Sequence, residues 1–281
     1  MKQLVIIGYP LGHTLSPIMH NAALDALDLG EKFHYDAYPL QRDELTQFVQ
    51  SIRSGTLVGA NITIPYKTQI MSFLSSFSPE SLAVGAVNTL YRDDNQVVGC
   101  NTDVTGFREA LRGNGVDVQE LRATILGAGG AAKAVAYSLI EGGVKKLQIL
   151  NRTPAHAQIL VESLRGHKDI EIGWIQIPTS LKKLPESDLL VNCTPIGMNG
   201  HSITETPLPK TLLSEGIVVM DLIYNPKQTR LLREAERAGC KTIDGVDMLV
   251  HQGAASFELW TGERAPIEIM RNAVLETLGG S

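Results

Sequence analysis

The sequence predicts an α/β protein of two domains, and three observations carry that prediction. Apolar runs of strand length alternate with helical patterns almost throughout the chain. A glycine-rich turn, Gly127-Ala128-Gly129-Gly130-Ala131-Ala132, joins a strand pattern to a helical pattern in the middle of that alternation. The segment ahead of residue 103 alternates independently and can bury a core of its own, and 281 residues suffice for two domains.

The elements follow in order. Residues 4–7 form the first strand candidate. Ser16 and Pro17 open a helix, with Ser16 as N-cap and Pro17 at the first helical position, where its missing N–H has no partner to lose. Residues 33–38 and 57–64 are further strands. Residues 86–91 and 96–100 flank Arg92-Asp93-Asp94-Asn95 and read as a hairpin. Helical patterns stand at 105–112, 131–141, 155–164, 228–238, 246–260 and 266–278. Between them lie strand candidates at 124–126, 146–150, 171–175, 189–192 and 218–222. The expected division is 1–102 with 245–281, and 103–244.

Composition narrows the function classes. Apolar content is 43%, charged content 20% and net charge −5, as in a soluble globular protein. The basic residues are scattered, so neither a nucleic-acid nor a membrane-surface partner is favoured. Cys100, Cys193 and Cys240 stand far apart and are odd in number, which suits neither a disulfide framework nor a metal site. The seven histidines show no ligand spacing for zinc, so no metal is expected. No run approaches the roughly 18 apolar residues of a membrane span. The first strand follows Met1 without a cleavage signal, so a reducing, cytoplasmic compartment is expected. Monomer and homodimer both stay open.

The glycine turn carries the first chemistry. Gly127 permits the tight turn, and Gly129 lets backbone approach a pyrophosphate. Ala132 is small enough for helix to pack on strand. The N–H groups at the helix start, from Gly130 and Ala131, face an anion. After the next strand comes Asn151-Arg152-Thr153, where an NAD site usually places a carboxylate. Thr153 and Pro154 also read as a plain helix start. Arg152 adds a fork of donors suited to a 2′-phosphate. The cofactor expected is therefore NADP.

Three other motifs are less decisive by themselves. Asn61-Ile62-Thr63-Ile64-Pro65-Tyr66-Lys67 ends a strand at a proline with a lysine just beyond. Spacing alone serves equally for a surface lysine. Asn101-Thr102-Asp103 precedes a helix that Asp103 could simply cap. In Gly12-His13-Thr14-Leu15-Ser16-Pro17, an extended chain would point the Thr14 and Ser16 hydroxyls the same way. Those hydroxyls could meet an anionic or polyhydroxylated ligand.

Taken in order and spacing, these motifs resemble the shikimate dehydrogenase family over essentially the whole chain. The resemblance extends through Ala86-Val87-Asn88-Thr89, Asn192-Cys193-Thr194-Pro195, Asp221-Leu222-Ile223-Tyr224-Asn225-Pro226 and Gly245-Val246-Asp247 to Gln252-Gly253. It implies an N-terminal α/β substrate domain, joined by the C-terminal helices, plus a Rossmann-type NADP-binding domain, with the active-site cleft between them. It implies reversible reduction of 3-dehydroshikimate to shikimate by NADPH, in aromatic amino-acid biosynthesis. Lys67 and Asp103 would be the catalytic pair. Thr14, Ser16 and Tyr224 would hold the substrate carboxylate, and Asn61, Thr63, Asn88 and Gln252 the ring hydroxyls. Gly127, Ala128, Gly129, Gly130, Ala131, Asn151, Arg152, Thr153, Thr194 and Gly245 would line the cofactor. Ketone reduction needs a placed proton donor and no metal, which suits this set.

Two departures from the family pattern matter. Thr14 stands where serine is usual, and its methyl narrows the carboxylate end. His156 stands where a second arginine is common, so the phosphate clamp would rest mainly on Arg152 and weaken as His156 loses its proton. A quinate/shikimate dehydrogenase with dual substrate use is the alternative that shares every motif. A folate-pathway dehydrogenase, or a binding protein on the same fold, fits less well with Lys67, Asp103 and the glycine turn all present.

Overall fold

The computed structural model describes residues 1–11, 14–164, 170–176, 184, 186–200 and 202–279. Gly12, His13, His167 and His201 lie outside them. The chain divides into two compact units, Met1–Gly106 with Leu249–Ser281, and Phe107–Met248. The divisions fall four residues beyond the expected ones, because each lies inside a helix, Asp103–Gly113 and Val246–Thr261.

The first unit opens with β1 (Lys2–Gly8), α1 (Ser16–Ala26), β2 (Phe33–Pro39), α2 (Leu45–Arg53) and β3 (Leu57–Ile62). It continues through β4 (Ser76–Phe77), α3 (Pro79–Val84) and the hairpin β5 (Thr89–Asp93) and β6 (Gln96–Cys100), and α4 (Asp103–Gly113) leads out of it. The sheet order is β2-β1-β3-β5-β6-β4. β1 pairs in parallel with β2 and β3, and the hairpin adds antiparallel strands beside β3. Val5, Ile7, Ala60, Ile62, Leu90 and Val97 bury one face of this sheet under α2.

Three local outcomes differ from the sequence pattern. Ser16 is the first residue of α1 rather than its N-cap. Leu15 holds the cap position at φ −91°, ψ −1°, and no side chain caps the helix. The strand expected at 57–64 stops at Ile62, because Tyr66 N–H bonds back to Thr63 C=O in a turn. The strand expected from 86 begins at Thr89, because Val87 N–H goes instead to Lys67 C=O, at 2.7 Å. Helix α2 was not expected between residues 38 and 57. Its run of charged and amide side chains masks a single buried stripe, Leu45, Phe48, Val49 and Ile52.

The second unit is a parallel sheet with helices. It contains β7 (Arg122–Leu126), α5 (Gly130–Glu141), β8 (Lys146–Asn151), α6 (Pro154–Ser163), β9 (Glu171–Gln176), β10 (Leu189–Asn192), β11 (Val218–Asp221), α7 (Arg230–Arg237) and β12 (Lys241–Ile243). Its order is β12-β11-β10-β7-β8-β9, all parallel. β7, β8 and β10 carry continuous buried runs, as strands covered on both faces must. Ile125, Ala132, Leu139 and Ile149 pack one core, while Leu126, Leu150, Leu190 and Leu231 pack another. The strand order reverses between β7 and β10. In open parallel sheets, ligands bind at such a switch point, beyond the C-terminal strand ends.

The chain then returns to the first unit through α8 (Val246–Thr261) and α9 (Ile267–Thr277), with α9 packed on α1. Trp260 of α8 donates its indole N–H to Leu90 C=O at 2.9 Å. That bond passes over Gly59, where an added Cβ would lie 2.2 Å from Trp260 Nε1 and 2.6 Å from Leu90 O. Gly59→Ala is therefore expected to cost about 1–3 kcal/mol, through displaced indole and overpacking. Denaturant unfolding checks this, and an unchanged midpoint would show that the helix yields freely.

Candidate active site

The loop after β3 delivers Lys67, and the first turn of α4 delivers Asp103. Lys67 Nζ and Asp103 Oδ2 are 2.5 Å apart, with side chains 17% and 7% exposed. Asp103 does not cap its helix. Asn101 Oδ1 takes the Asp103 N–H at 3.1 Å, and the carboxylate turns toward Lys67. The other carboxylate oxygen accepts from Asn88 Nδ2 at 2.9 Å. Asn88 in turn faces Gln252 Oε1 of α8 at 3.4 Å, and Gln252 Nε2 is held by Leu249 C=O at 2.8 Å. Two further residues, Asn88 and through it Gln252, thus support one ammonium–carboxylate pair.

Behind the pair the polar groups remain linked. Asn88 Oδ1 accepts from Thr102 N–H at 2.7 Å. The Thr89 and Thr102 hydroxyls reach Ser256 Oγ at 2.8 and 3.1 Å, and Ser256 donates to Gln252 C=O at 3.0 Å. Asn61 Nδ2 donates to Ser256 Oγ at 3.0 Å and Thr89 Oγ1 at 3.1 Å, while its Oδ1 accepts from the Tyr35 hydroxyl at 2.6 Å. Such a satisfied buried network fixes its members in one arrangement. The ring contact that the resemblance implies for Asn61 does not fit this position. The residue is 4% exposed, and both ends of its amide are already engaged, so it braces the network from behind.

The remaining candidates of this unit take two other places. Thr14 Oγ1 donates to Ser16 Oγ at 3.2 Å and accepts from Ser16 N–H at 3.3 Å. The hydroxyls do come together, but through a helical Leu15 rather than an extended segment. Thr63 follows β3, its N–H bonded to Ile7 C=O at 2.9 Å.

Tyr35, Thr89, Thr102 and Ser256 were not singled out in the sequence. Thr89 and Thr102 lay inside quoted motifs without a role, and Ser256 carried a signal in lying one helical turn beyond Gln252 on the same face. The others are ordinary strand or loop residues whose importance arises only from contact.

In the second unit, Gly127 follows β7 with φ +103°, a conformation that favours glycine. Gly129 is the N-cap of α5, no side chain caps that helix, and nothing lies within 4 Å of where a Gly129 Cβ would be. Ala128, Gly130 and Ala131 complete the turn, each partly exposed. Asn151 ends β8 and donates to Thr153 C=O at 2.8 Å. Arg152 is exposed, and no carboxylate pairs with it among the described residues. Thr153 is the N-cap of α6 but makes no side-chain cap bond. An open glycine turn before an uncapped helix, with a cation and no acid after β8, fits the pyrophosphate and 2′-phosphate of NADP.

Across the switch point, Thr194 sits against the glycine turn. Its Cγ2 would lie 3.1 Å from a Gly127 Cβ. Gly245, which the resemblance places beside the cofactor, stands where the chain passes Leu222. Its Cβ would fall 2.3 Å from Leu222 O, so glycine is needed there to let the chain pass that loop. Tyr224 follows β11 in the same loop and is half-buried. Asp221 ends β11 fully buried, and burial raises its pKa from 3.8 to about 6 against the pull of three hydrogen bonds. Burial likewise pushes the Cys100 thiol to about 12, which leaves it no thiolate to attack with. Among the described residues no group of three His, Cys, Asp or Glu side chains could hold a metal, and no helix is long and apolar enough to cross a membrane.

Residues 6–90 match the model of the shikimate dehydrogenase substrate binding domain, and 109–238 that of shikimate/quinate 5-dehydrogenase. Residues 245–275 match the shikimate 5′-dehydrogenase C-terminal domain. The shikimate dehydrogenase (NADP(+)) of Methanothermobacter thermautotrophicus is 39% identical over 97% of this chain and 95% of its own length. The chain belongs to the shikimate dehydrogenase family. The corresponding NADP(+) enzyme of Symbiobacterium thermophilum is 42% identical, over 98% of this chain and 94% of its own. The crystal structure of shikimate 5-dehydrogenase from Thermus thermophilus, in complex with NADP(H) and shikimate, matches with a TM-score of 0.85. It is 35% identical, and the match covers 98% of this chain and 99% of that one.

Proposed function

We infer that this chain catalyses the reversible, NADPH-dependent reduction of 3-dehydroshikimate to shikimate, a step of aromatic amino-acid biosynthesis. The single observation that carries the mechanism is the Lys67–Asp103 pair, held at 2.5 Å and braced by Asn88. Bound NADPH supplies the hydride. Lys67, as an ammonium, has three N–H donors, and Asp103 takes one. A second polarises the ketone oxygen, and the proton passes to that oxygen as the carbonyl carbon is reduced. In the reverse direction Lys67 takes the proton back from the alcohol. Asp103 keeps Lys67 aimed, and Asn88 keeps Asp103 from turning.

Substrate recognition follows from the neutral donors. Thr14 donates to Ser16, which leaves the Ser16 O–H to turn toward a carboxylate. Gln252 and Thr63 meet ring hydroxyls beside Asn88. On the cofactor, the turn from Gly127 to Ala131 receives the pyrophosphate. Asn151, Arg152 and Thr153 receive the adenosine end. A reducing, cytoplasmic compartment suits cysteines that carry no disulfide. Residues 1–102 with 245–281 form the substrate domain, and 103–244 the cofactor domain.

Arg152 supplies the permanent charge for the 2′-phosphate. Arg152→Ala is therefore expected to raise KM for NADPH about tenfold or more, and to leave NADH kinetics nearly unchanged. Steady-state assays with both cofactors check this. An equal loss with NADH would place Arg152 elsewhere on the nucleotide.

A further inference from the structure

We propose that Asp221 is the positioning residue of the cofactor crevice, setting the Thr194 loop and the 222–226 loop through one buried carboxylate. Asn192 and Asp221 end adjacent parallel strands in register, and Leu126, just before Gly127, pairs with Asn192 on its other side. Three strand ends therefore stand level at the switch point. Asp221 Oδ1 accepts from Asn192 Nδ2 at 2.9 Å and from Ile223 N–H at 3.1 Å. Its Oδ2 accepts from the Thr229 hydroxyl at 2.7 Å.

Each of these contacts leads outward. Asn192 Oδ1 accepts both the N–H and the hydroxyl of Thr194, at 3.0 and 2.7 Å, and Thr194 packs on the Gly127 turn. Asn192 can make those two bonds only with its carbonyl end toward Thr194, and it is Asp221 that holds the amide that way round. Ile223 leads to Tyr224, and the Gly245 backbone lies against Leu222 and Ile223. Thr229 caps α7 through Leu232 N–H at 3.3 Å.

The chemistry of the residue argues for position over packing. Asp221 is 0% exposed, and among the described residues no cation pairs with it. A buried, unpaired carboxylate is costly, and a merely space-filling role would be served better by an apolar side chain. What only a carboxylate offers is acceptance of three donors at once with no proton of its own. An asparagine would turn an N–H toward at least one of them.

This inference rests on the NADPH reading above, and the experiment separates the two. Steady-state kinetics with NADPH and 3-dehydroshikimate compare the unmodified enzyme with Asp221→Asn, Asn192→Ser and Leu231→Ala. Asn192→Ser leaves Asp221 bonded to Ile223 and Thr229, and so gives a second reading should Asp221→Asn not fold. Leu231→Ala removes a side chain of the α7 core and reports destabilisation alone. Asp221→Asn and Asn192→Ser are each expected to raise KM for NADPH about tenfold, with kcat at saturating cofactor within about threefold. Leu231→Ala is expected to lower the unfolding midpoint with KM for NADPH unchanged. An unmoved KM for NADPH in a folded Asp221→Asn or Asn192→Ser enzyme would overturn the inference, as would an equal rise in Leu231→Ala. Absence of turnover in the unmodified protein with either nicotinamide cofactor would instead fail the NADPH reading.

Discussion

Lys67→Ala is expected to lower kcat about 10²–10⁴-fold while KM for 3-dehydroshikimate stays within a few-fold. The split follows from what Lys67 does. On the proposed mechanism its contact with the ketone oxygen strengthens as negative charge develops there, so most of its contribution appears in the transition state. Recognition of the carboxylate and ring hydroxyls belongs to other side chains and survives the change. The fold survives as well, since Asp103 keeps its bond from Asn88 and Lys67 is partly exposed. Asp103→Asn should behave similarly. It leaves the space filled but removes the charge that holds the ammonium. A Lys67→Ala enzyme with intact kcat and a raised KM would make Lys67 a binding residue and remove the proposed mechanism.

Acid is expected to destabilise the protein through His20. Its ring is 0% exposed, stacked on Tyr35 at 4.3 Å between centroids, and neither ring nitrogen meets a protein donor or acceptor. Burial lowers its pKa from 6.5 to about 3. The unfolded chain thus takes up a proton near pH 6.5 that the folded chain refuses until about pH 3. The stability linked to this group is fully present above pH 6.5 and is lost as pH falls toward 3, at about 1.4 kcal/mol per unit. Asp221 acts in the opposite sense. Its pKa is raised to about 6, so the folded state binds that proton first, and the contribution is lost as pH rises from 3.8 through 6. The whole-protein curve shows the net of both, and a variant isolates His20. Between pH 7 and 4.5 the free energy of unfolding of His20→Leu should gain about 3 kcal/mol on the parent. Urea titrations at several pH values measure it, and a pH-independent difference would contradict the account.

The parts legible in the sequence are those written in local pattern. Continuous apolar strands and the Gly127 turn announced a parallel sheet, because both faces of such strands are buried and the turn needs positive φ. Lys67 and Asp103 were visible as motif members, and the resemblance alone made them a pair. Their meeting joins the loop after β3 to the start of α4 across 36 residues, which spacing does not reveal. The bracing contacts of Asn61 were hidden for a related reason, since only packing shows Tyr35 and Ser256 at its amide. Asp221 lay in plain view at the end of an apolar strand. Its three donors come from residues 192, 223 and 229, and no periodicity joins those positions.

The measurement that bears most directly on the function is a steady-state comparison of shikimate and quinate as hydride donors, each with NADP and with NAD. The account predicts kcat/KM highest for shikimate with NADP. The neutral donors are expected to fit the substrate, and Arg152 to select the 2′-phosphate. Comparable efficiency with NAD and NADP at neutral pH, or quinate used as well as shikimate, would contradict it.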